Sequence, residues 1–369
     1  MSSLKTHFSV PDYEGAISHL HGIIRGEKYR ITILSDVLVR LEYSETGAFE
    51  DRPTELVKFR AFDVPKFTKK EDNTHLVVST KYFKLEYQKE MPFEGGKVTP
   101  DQYLKISLNN TDKFWYYGHP EARNFRAAGY SLDNADGNAQ YGRGLYSTDG
   151  FVSLDDSENL IFNRDGSFGK RSDKRIDIYV FLYRRDFGLC LRDYFKLTGS
   201  PALIPRYALG VWWNKDFAYN TESLEELIWN FNKHKIPISV ILLSKYWHIL
   251  YEEIEGGFTF NYNLFNNPKE LIRNLHKNNI RIGLNINPMA GIHPDELAYE
   301  RFKTKAGITE EGILPFNVFD KSVVNAYFDE FIKPLNDLGV DFYWIDYFNR
   351  NDLITLRALN YFYFTDYKK

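Results

Sequence analysis

The chain uses two hydrophobic rhythms, one after the other. In "SDVLVRLEYS", Val37, Val39, Leu41 and Tyr43 alternate with Leu38, Arg40 and Glu42, a period of two that predicts a strand. "KYFKLEYQ" repeats it with Phe83, Leu85 and Tyr87, and "YLKISLNN" with Leu104, Ile106 and Leu108. Turn clusters such as "NADGN", "STDG" and "NRDGS" separate such runs. Many strands with no helical pattern between them predict an antiparallel β-sandwich, expected over residues 1–200.

The second rhythm begins near residue 186. "DFGLCLRDYFKLTG" reads as a helix closed by Gly199, and "SPALIPRY" as a proline-bearing connector. From Ala208 onward, short apolar strands alternate with amphipathic helices. The strand "ALGVWWN" precedes a helix that starts at Asn220 or Thr221, both good N-caps, with Leu224, Leu227, Ile228 and Phe231 on its apolar face. "IPISVILL" is the next strand, and Asn267-Pro268 opens a helix carrying Leu271, Ile272 and Leu275. After strand "IRIGLNINP", residues 320–338 form a helix with Val324, Tyr327, Phe328, Phe331, Ile332 and Leu335 at helical spacing, stopped by Gly339. Strand "GVDFYWID" ends the series.

Near-continuous apolar strands separated by helices predict a parallel sheet covered by helices. No Gly-x-Gly-x-x-Gly turn follows any strand, which favours a barrel over a dinucleotide-binding sheet. The expected fold is therefore α/β plus all-β: an N-terminal sandwich, then the first half of a TIM (β/α)8 barrel over residues 201–369.

Composition narrows the function. At 369 residues the chain exceeds the roughly 250–300 residues of one core, so two domains are expected. The net charge of −3, without a basic stripe, argues against a nucleic-acid partner. Cys190 is the only cysteine, which excludes an internal disulfide and a cysteine-based zinc site. "GIHPDE", with His293, Asp295 and Glu296, reads as a helix N-terminus behind Pro294 and not as a metal site. No cofactor or metal is called for. The first twenty residues lack the pattern of a signal peptide, and no apolar run approaches the roughly 18 residues of a membrane span. A cytoplasmic protein with no membrane partner is expected. Aromatic residues make up 17%, including 26 Tyr and 29 Phe. Most belong to cores, and the excess suits flat contact with sugar rings.

In a barrel, chemistry gathers at the carboxyl ends of the strands. Those ends read Trp212, Trp213 and Asn214; Ser244, Tyr246, Trp247 and His248; Asn285 and Asn287; and Trp344 and Asp346. Alternation sets Trp344 and Asp346 on one face, Asn285 and Asn287 on one face, and Ser244 and Tyr246 on one face if the second strand runs that far. Trp212 and Trp213 cannot both point inward, and the reading turns Trp213 inward. Trp344 is either a pocket wall or barrel core, and Trp247 and His248 either meet a ligand or pack within their loop. Asn285 and Asn287 favour a ligand, because amides in an apolar strand need partners. Aromatic plates and amides around one acid suit a neutral polyhydroxylated molecule, a carbohydrate.

"GVWWNKDFAYN", "IPISVILLSKYWH", "FTFNYNLFNNP", "RIGLNINPMAGIHPDE", "LPFNVFD" and "GVDFYWIDYFN" occur in an order and spacing that resembles glycoside hydrolase family 31, the retaining α-glucosidase family. The resemblance extends upstream through "GLYSTDGFVSLDDS" and "LRDYFKLTGSPALIPRYALG". It implies a β-sandwich ahead of a TIM barrel, an α-glucoside or α-linked oligosaccharide as substrate, and Asp346 as catalytic nucleophile. A retaining enzyme needs such a carboxylate to form a glycosyl ester, with a second carboxyl group about 5–5.5 Å away as acid and then base. From the residues alone Asp346 reads as a rim acid facing the pocket, the alternative being a strand-end acid that caps the next helix. "STDG" around Asp149 reads as a plain hairpin turn, or as the sandwich loop that leans over the family's active site.

Two departures qualify the resemblance. Where many members carry Asp-x-Asp before Trp-His, this chain has Ser244 and Tyr246, which lack the acceptor strength of a carboxylate. The segment that supplies the family's acid/base has no counterpart in these 369 residues. The chain is expected to be the N-terminal part of such an enzyme: one piece of a split gene whose second chain completes the barrel, a truncated frame, or a decayed copy. Alone it is expected to show no appreciable turnover. The competing expectation is a non-catalytic, carbohydrate-binding or subunit-like remnant.

Overall fold

The computed structural model describes residues 3–93, 103–127, 136–138, 141–171, 173–250, 256–345 and 353–366. They form two units, one made of residues 11–163 and 169–201, the other of residues 1–10, 164–168 and 202–369.

The first unit is antiparallel. One five-stranded sheet runs Ile23–Arg25, Tyr29–Ile33, Leu38–Tyr43, Ile176–Leu182 and Phe151–Asp155 in spatial order, and the other Thr68–Glu71, His75–Ser79, Phe83–Gln88, Leu104–Leu108 and Phe114–Trp115. Their apolar alternate positions share one core: Ile31, Val39, Leu41 and Val180 from the first sheet meet Val78, Phe83, Leu85 and Ile106 from the second. The predicted helix spans Phe187–Thr198, capped by Asp186, and its Cys190 and Leu197 join Leu38, Tyr179 and Phe181 on the other face of the first sheet. That face also buries charge. Arg40 makes two 2.8 Å bonds to Asp177 and reaches Glu42 at 3.0 Å, Arg30 holds Glu42, and Arg171 spans Asp177 at 3.0 Å and Asp156 at 3.2 Å. Charges survive such burial only when each is paired.

The second unit holds a four-stranded parallel sheet, Trp212–Lys215, Val240–Leu243, Arg281–Ile286 and Phe342–Ile345, in chain order. The helices between the strands follow the sequence reading. Thr221–Lys233 opens with a capping box of Asn220 and Ser223, and Pro268–Lys277 opens on Asn267 and buries Leu271, Ile272 and Leu275. Helix Tyr299–Ala306 precedes Lys321–Tyr327, which runs through a π turn, Phe328–Ile332, into Lys333–Leu338 and stops at Gly339 with φ of 106°. Helix Leu353–Thr365 follows the fourth strand. Residues 1–10 and 164–168, placed by the sequence reading with the N-terminal domain, belong to this unit. Among the described residues no helix is long and apolar enough to cross a membrane.

The buried charges make the antiparallel unit sensitive to pH. Burial alone would raise the Asp177 carboxyl, but the charges of Arg40, Arg171 and Arg60 hold it below the usual carboxylate range. Asp156, buried and facing the Asp177 charge, is pushed up to about 7. A depressed carboxyl gives stability present above its ordinary value of 3.8 and lost as pH falls, whereas a raised one gives stability present below that value and lost as pH rises through about 7. Between about pH 4 and pH 7 Asp156 therefore progressively weakens the fold. Thermal scans of the chain are expected to show Asp156→Asn gaining on the native sequence across this window; a gap independent of pH contradicts the assignment.

Candidate active site

The two faces of the parallel sheet have different occupants. Register pairs Asn214 with Leu242, Leu242 with Gly283 and Gly283 with Phe342, so these four share a face with Trp212, Asn285 and Trp344 by alternation. On this face the Trp212 ring lies 5.2 Å from Phe342 and 6.5 Å from Trp344, and Tyr207 stacks on Phe342 at 6.4 Å. The opposite face meets the helices: Trp213 packs on Phe231 at 5.5 Å and donates its Nε1–H to the Tyr219 hydroxyl, and the Tyr343 hydroxyl donates to Asn336 Oδ1 at 2.7 Å. The inward tryptophan of the first strand is thus Trp212. This corrects the sequence reading, which turned Trp213 inward; its indole is instead held by the helix after its own strand.

Gly283 makes the inner face possible. A Cβ there would lie 2.3 Å from Phe342 Cζ, so only glycine lets that ring cross the third strand. Trp212 and Trp344 remain 37% and 47% exposed, which leaves flat apolar surface beside the strand ends.

The second strand ends at Leu243, one residue before Ser244, which starts a 3-10 turn, Lys245–Trp247. Tyr246 therefore sits in the turn, half-buried with the Lys245 ammonium 5.6 Å above its ring, and does not extend the strand's alternation. Ser244 Oγ is buried without a hydrogen-bond partner, and so is Asn287 Oδ1 just beyond the third strand. Leaving such atoms unpaired costs about 1–3 kcal/mol each, so each wants a partner. Asn285, 9% exposed, stands opposite Trp344 in the ladder.

Trp247 and His248 build the wall behind these groups. Trp247 is 1% exposed, packs on Phe260 at 5.0 Å, and donates its Nε1–H to the Asn285 carbonyl at 2.6 Å. His248 is as deeply buried, with Nδ1 2.8 Å from the Ile249 carbonyl, and Gly257 passes so close that a Cβ there would reach 2.2 Å from that nitrogen. Packing within the loop, one of the two sequence-based alternatives, describes both. Glu296 secures the same loop: it accepts from the Phe258 amide at 2.8 Å and the Thr259 hydroxyl at 2.5 Å, and burial raises its carboxyl above the ordinary range despite those bonds. Reading "GIHPDE" as a helix start missed this, since the helix begins later, at Tyr299. Among the described residues no group of three or more His, Cys, Asp or Glu is placed to hold a metal ion. Asp346 lies outside the described residues.

Register thus sets Asn285 and Trp344 at one end of one face, with Trp212 and Phe342 nearer its other end, and Ser244 and Asn287 directly follow the second and third strands. Phe342 was legible as the position two before Trp344, at the strand period.

Residues 201–360, which hold all four parallel strands, match the glycosyl hydrolases family 31 TIM-barrel domain. Over this segment the chain is similar to part of a family 31 enzyme. Among curated relatives, an α-xylosidase of Saccharolobus solfataricus is 30% identical over 174 residues, 47% of this chain and 23% of that protein. Alpha-glucosidase 2 of Bacillus thermoamyloliquefaciens is 29% identical over 184 residues, 46% of this chain and 23% of that protein. The match thus spans about a quarter of each curated relative. The fold is similar to that of a Flavobacterium johnsoniae dextranase of the family complexed with glucose, with a TM-score of 0.57 and 15% identity over 94% of this chain and 49% of that one. It is similar also to a Xanthomonas citri α-xylosidase, with a TM-score of 0.59 and 12% identity over 89% and 57% of the two chains.

Gly283→Ala is expected to push the Phe342 ring off the third strand and disturb its contact with Trp212, at a cost of about 1–3 kcal/mol. Chemical denaturation followed by tryptophan emission checks this: a lower midpoint and an altered native spectrum are predicted, and an unchanged spectrum and midpoint contradict the packing.

Proposed function

We propose that the chain supplies the sugar-binding half of a retaining α-glycosidase, acting on α-glucosides or α-linked oligosaccharides by hydrolysis or glucosyl transfer. The observation that carries the reading is the pair of buried, unpartnered polar atoms, Ser244 Oγ and Asn287 Oδ1, at the strand ends that also present the exposed indole of Trp344. Sugar hydroxyls both donate and accept, and a pyranose offers an apolar face to an indole. Relatives named α-xylosidase and α-glucosidase support the same class and make an α-xyloside a second substrate to try.

Asp346 is the nucleophile on this reading. It attacks the anomeric carbon to form a glycosyl ester, and a second carboxyl group protonates the departing oxygen and later activates water. No carboxylate of these 369 residues is given that second role, so the chain alone is expected to form the ester only with a leaving group that needs no proton. A second chain that completes the barrel would supply the acid/base. The antiparallel unit is read as a β-sandwich, the parallel unit as the first half of a barrel, and the protein as cytoplasmic.

A second reading, a carbohydrate-binding remnant without catalysis, is favoured by Ser244 and Tyr246 standing where the family resemblance leads one to expect carboxylates. One experiment separates the two. A fluorinated α-glucosyl fluoride is expected to label the chain once, and peptide mass spectrometry to place the label on Asp346. Labelling elsewhere contradicts the nucleophile assignment, and sugar binding without labelling selects the remnant.

A further inference from the structure

Two polar turns far apart in the chain meet within the parallel unit and border a cavity of about 390 Å³, lined by Asp165, Ser167, Asn317, Phe319, Asp320 and Lys321. The first turn is residues 164–167. Asp165 Oδ1 accepts from the Ser167 amide at 3.0 Å and the Ser167 hydroxyl at 2.6 Å, and Gly166 takes a φ of 90° that a side chain would resist. The Asp165 carbonyl accepts from the Leu4 amide at 2.9 Å and from Ser3 Oγ at 3.2 Å, which ties the turn to residues 3–10. The second turn precedes helix Lys321–Tyr327: Asn317 Oδ1 accepts from the Phe319 amide at 3.0 Å, and Asp320 Oδ1 accepts from the amides of Ser322 and Val323. Lys321 Nζ joins the two turns, donating to Asp165 Oδ2 at 2.9 Å.

These groups are held in place, yet their bonding capacity is not used up. Lys321 gives one of three N–H donors to Asp165, Asn317 uses its side-chain oxygen and keeps both N–H groups, and Asp320 keeps its second oxygen. The Ser167 hydroxyl first, and the Lys321 ammonium after it, lower the Asp165 carboxyl to about 2, so it is an ionised acceptor at neutral pH. One ammonium beside two carboxylates disfavours an anion. A metal ion is disfavoured too: Lys321 takes a cation's place at Asp165, and among the described residues no group of three or more His, Cys, Asp or Glu is placed to hold one. Donors and acceptors interleaved around the partly exposed Phe319 ring suit a neutral molecule with hydroxyls on its rim and C–H groups on its face. The volume falls in the range of roughly 300–1,000 Å³ that small ligands occupy.

Chain direction sets which end of the sheet the cavity faces. From Lys321 to Leu338 the helical run is continuous, about 27 Å long at 1.5 Å per residue, and it leads back to the start of the fourth strand, which is about 13 Å long. Its first turn, with Lys321, therefore stands toward the carboxyl ends of the strands. We propose that this cavity is a second carbohydrate subsite. It takes one neutral pyranose of an α-linked oligosaccharide, with Phe319 against the C–H face of the sugar and Lys321, Asn317 and the Asp165 carboxylate on its hydroxyls. Those hydroxyls replace water at the polar groups nearly one for one, so the ring contact contributes most of an affinity on the order of millimolar. The cavity is argued from its own residues, and only the choice of an α-glucoside as ligand rests on the proposed function.

Amide shifts of the full chain, titrated with methyl α-maltoside, test the subsite. Saturable shifts at Gly166, Ser167 and Phe319 are expected, and Phe319→Ala is expected to weaken that binding by roughly threefold or more while shifts at Asn285 and Asn287 keep their midpoint. Lys321→Met, which keeps the aliphatic stem and removes the donors, is a second variant with the same expectation. Saturable shifts at the two turns without shifts at Asn285 and Asn287 support this subsite and contradict the strand-end reading, and shifts at Asn285 and Asn287 alone do the reverse. The subsite is overturned if the turns show no saturable shift, if glycerol reproduces the shifts, or if both variants bind as the native chain does.

Discussion

The indole of Trp212 rests against Phe342 and Trp344, and through this contact the parallel sheet acquires an inside. The first and fourth strands are three spacings apart, about 14 Å in a flat sheet at roughly 4.8 Å per strand, where side chains on one face stand side by side. Rings centred 5.2 and 6.5 Å apart show these side chains reaching toward each other across the two strands between them. Gly283 permits this reach by yielding its Cβ volume to Phe342. Asn285 and Trp344 stand opposite each other at the end of this face, and Ser244 and Asn287 directly follow the second and third strands.

The polar residues around the strand ends divide their labour. Trp247 spends its indole N–H on the Asn285 carbonyl, and Glu296 spends its carboxylate on the loop at Phe258 and Thr259. Ser244 Oγ and Asn287 Oδ1 are not spent, although they are as inaccessible as a core atom. On the proposed function, the hydroxyls of a bound sugar would meet these two atoms.

Much of this frame was legible in the sequence, because helix caps and periodic apolar faces are local signals. Asn220, Asn267 and Gly339 bound their helices where the sequence places them, and the period-two runs at Val39 and Phe83 lie in strands. Orientation was harder. Trp212 and Trp213 are adjacent and chemically alike, and only Phe231 and Tyr219, both downstream, decide that Trp213 turns outward. The turn at Ser244 carries neither glycine nor proline, so nothing local announced that Tyr246 leaves the strand. Residues 3–10 have no periodicity at all; their membership of the parallel unit depends on partners more than 150 positions away, such as Asp165, Asp329 and Asp366.

The central claim is that the inner strand ends hold a sugar. A crystal structure of the chain soaked with a slowly reacting α-glucoside tests it most directly. The account predicts a pyranose against the Trp344 indole, with hydroxyls hydrogen-bonded to Ser244 Oγ and Asn287 Oδ1. A sugar bound elsewhere while those two atoms keep other partners, or Trp344 found on the helix-covered face, would contradict it.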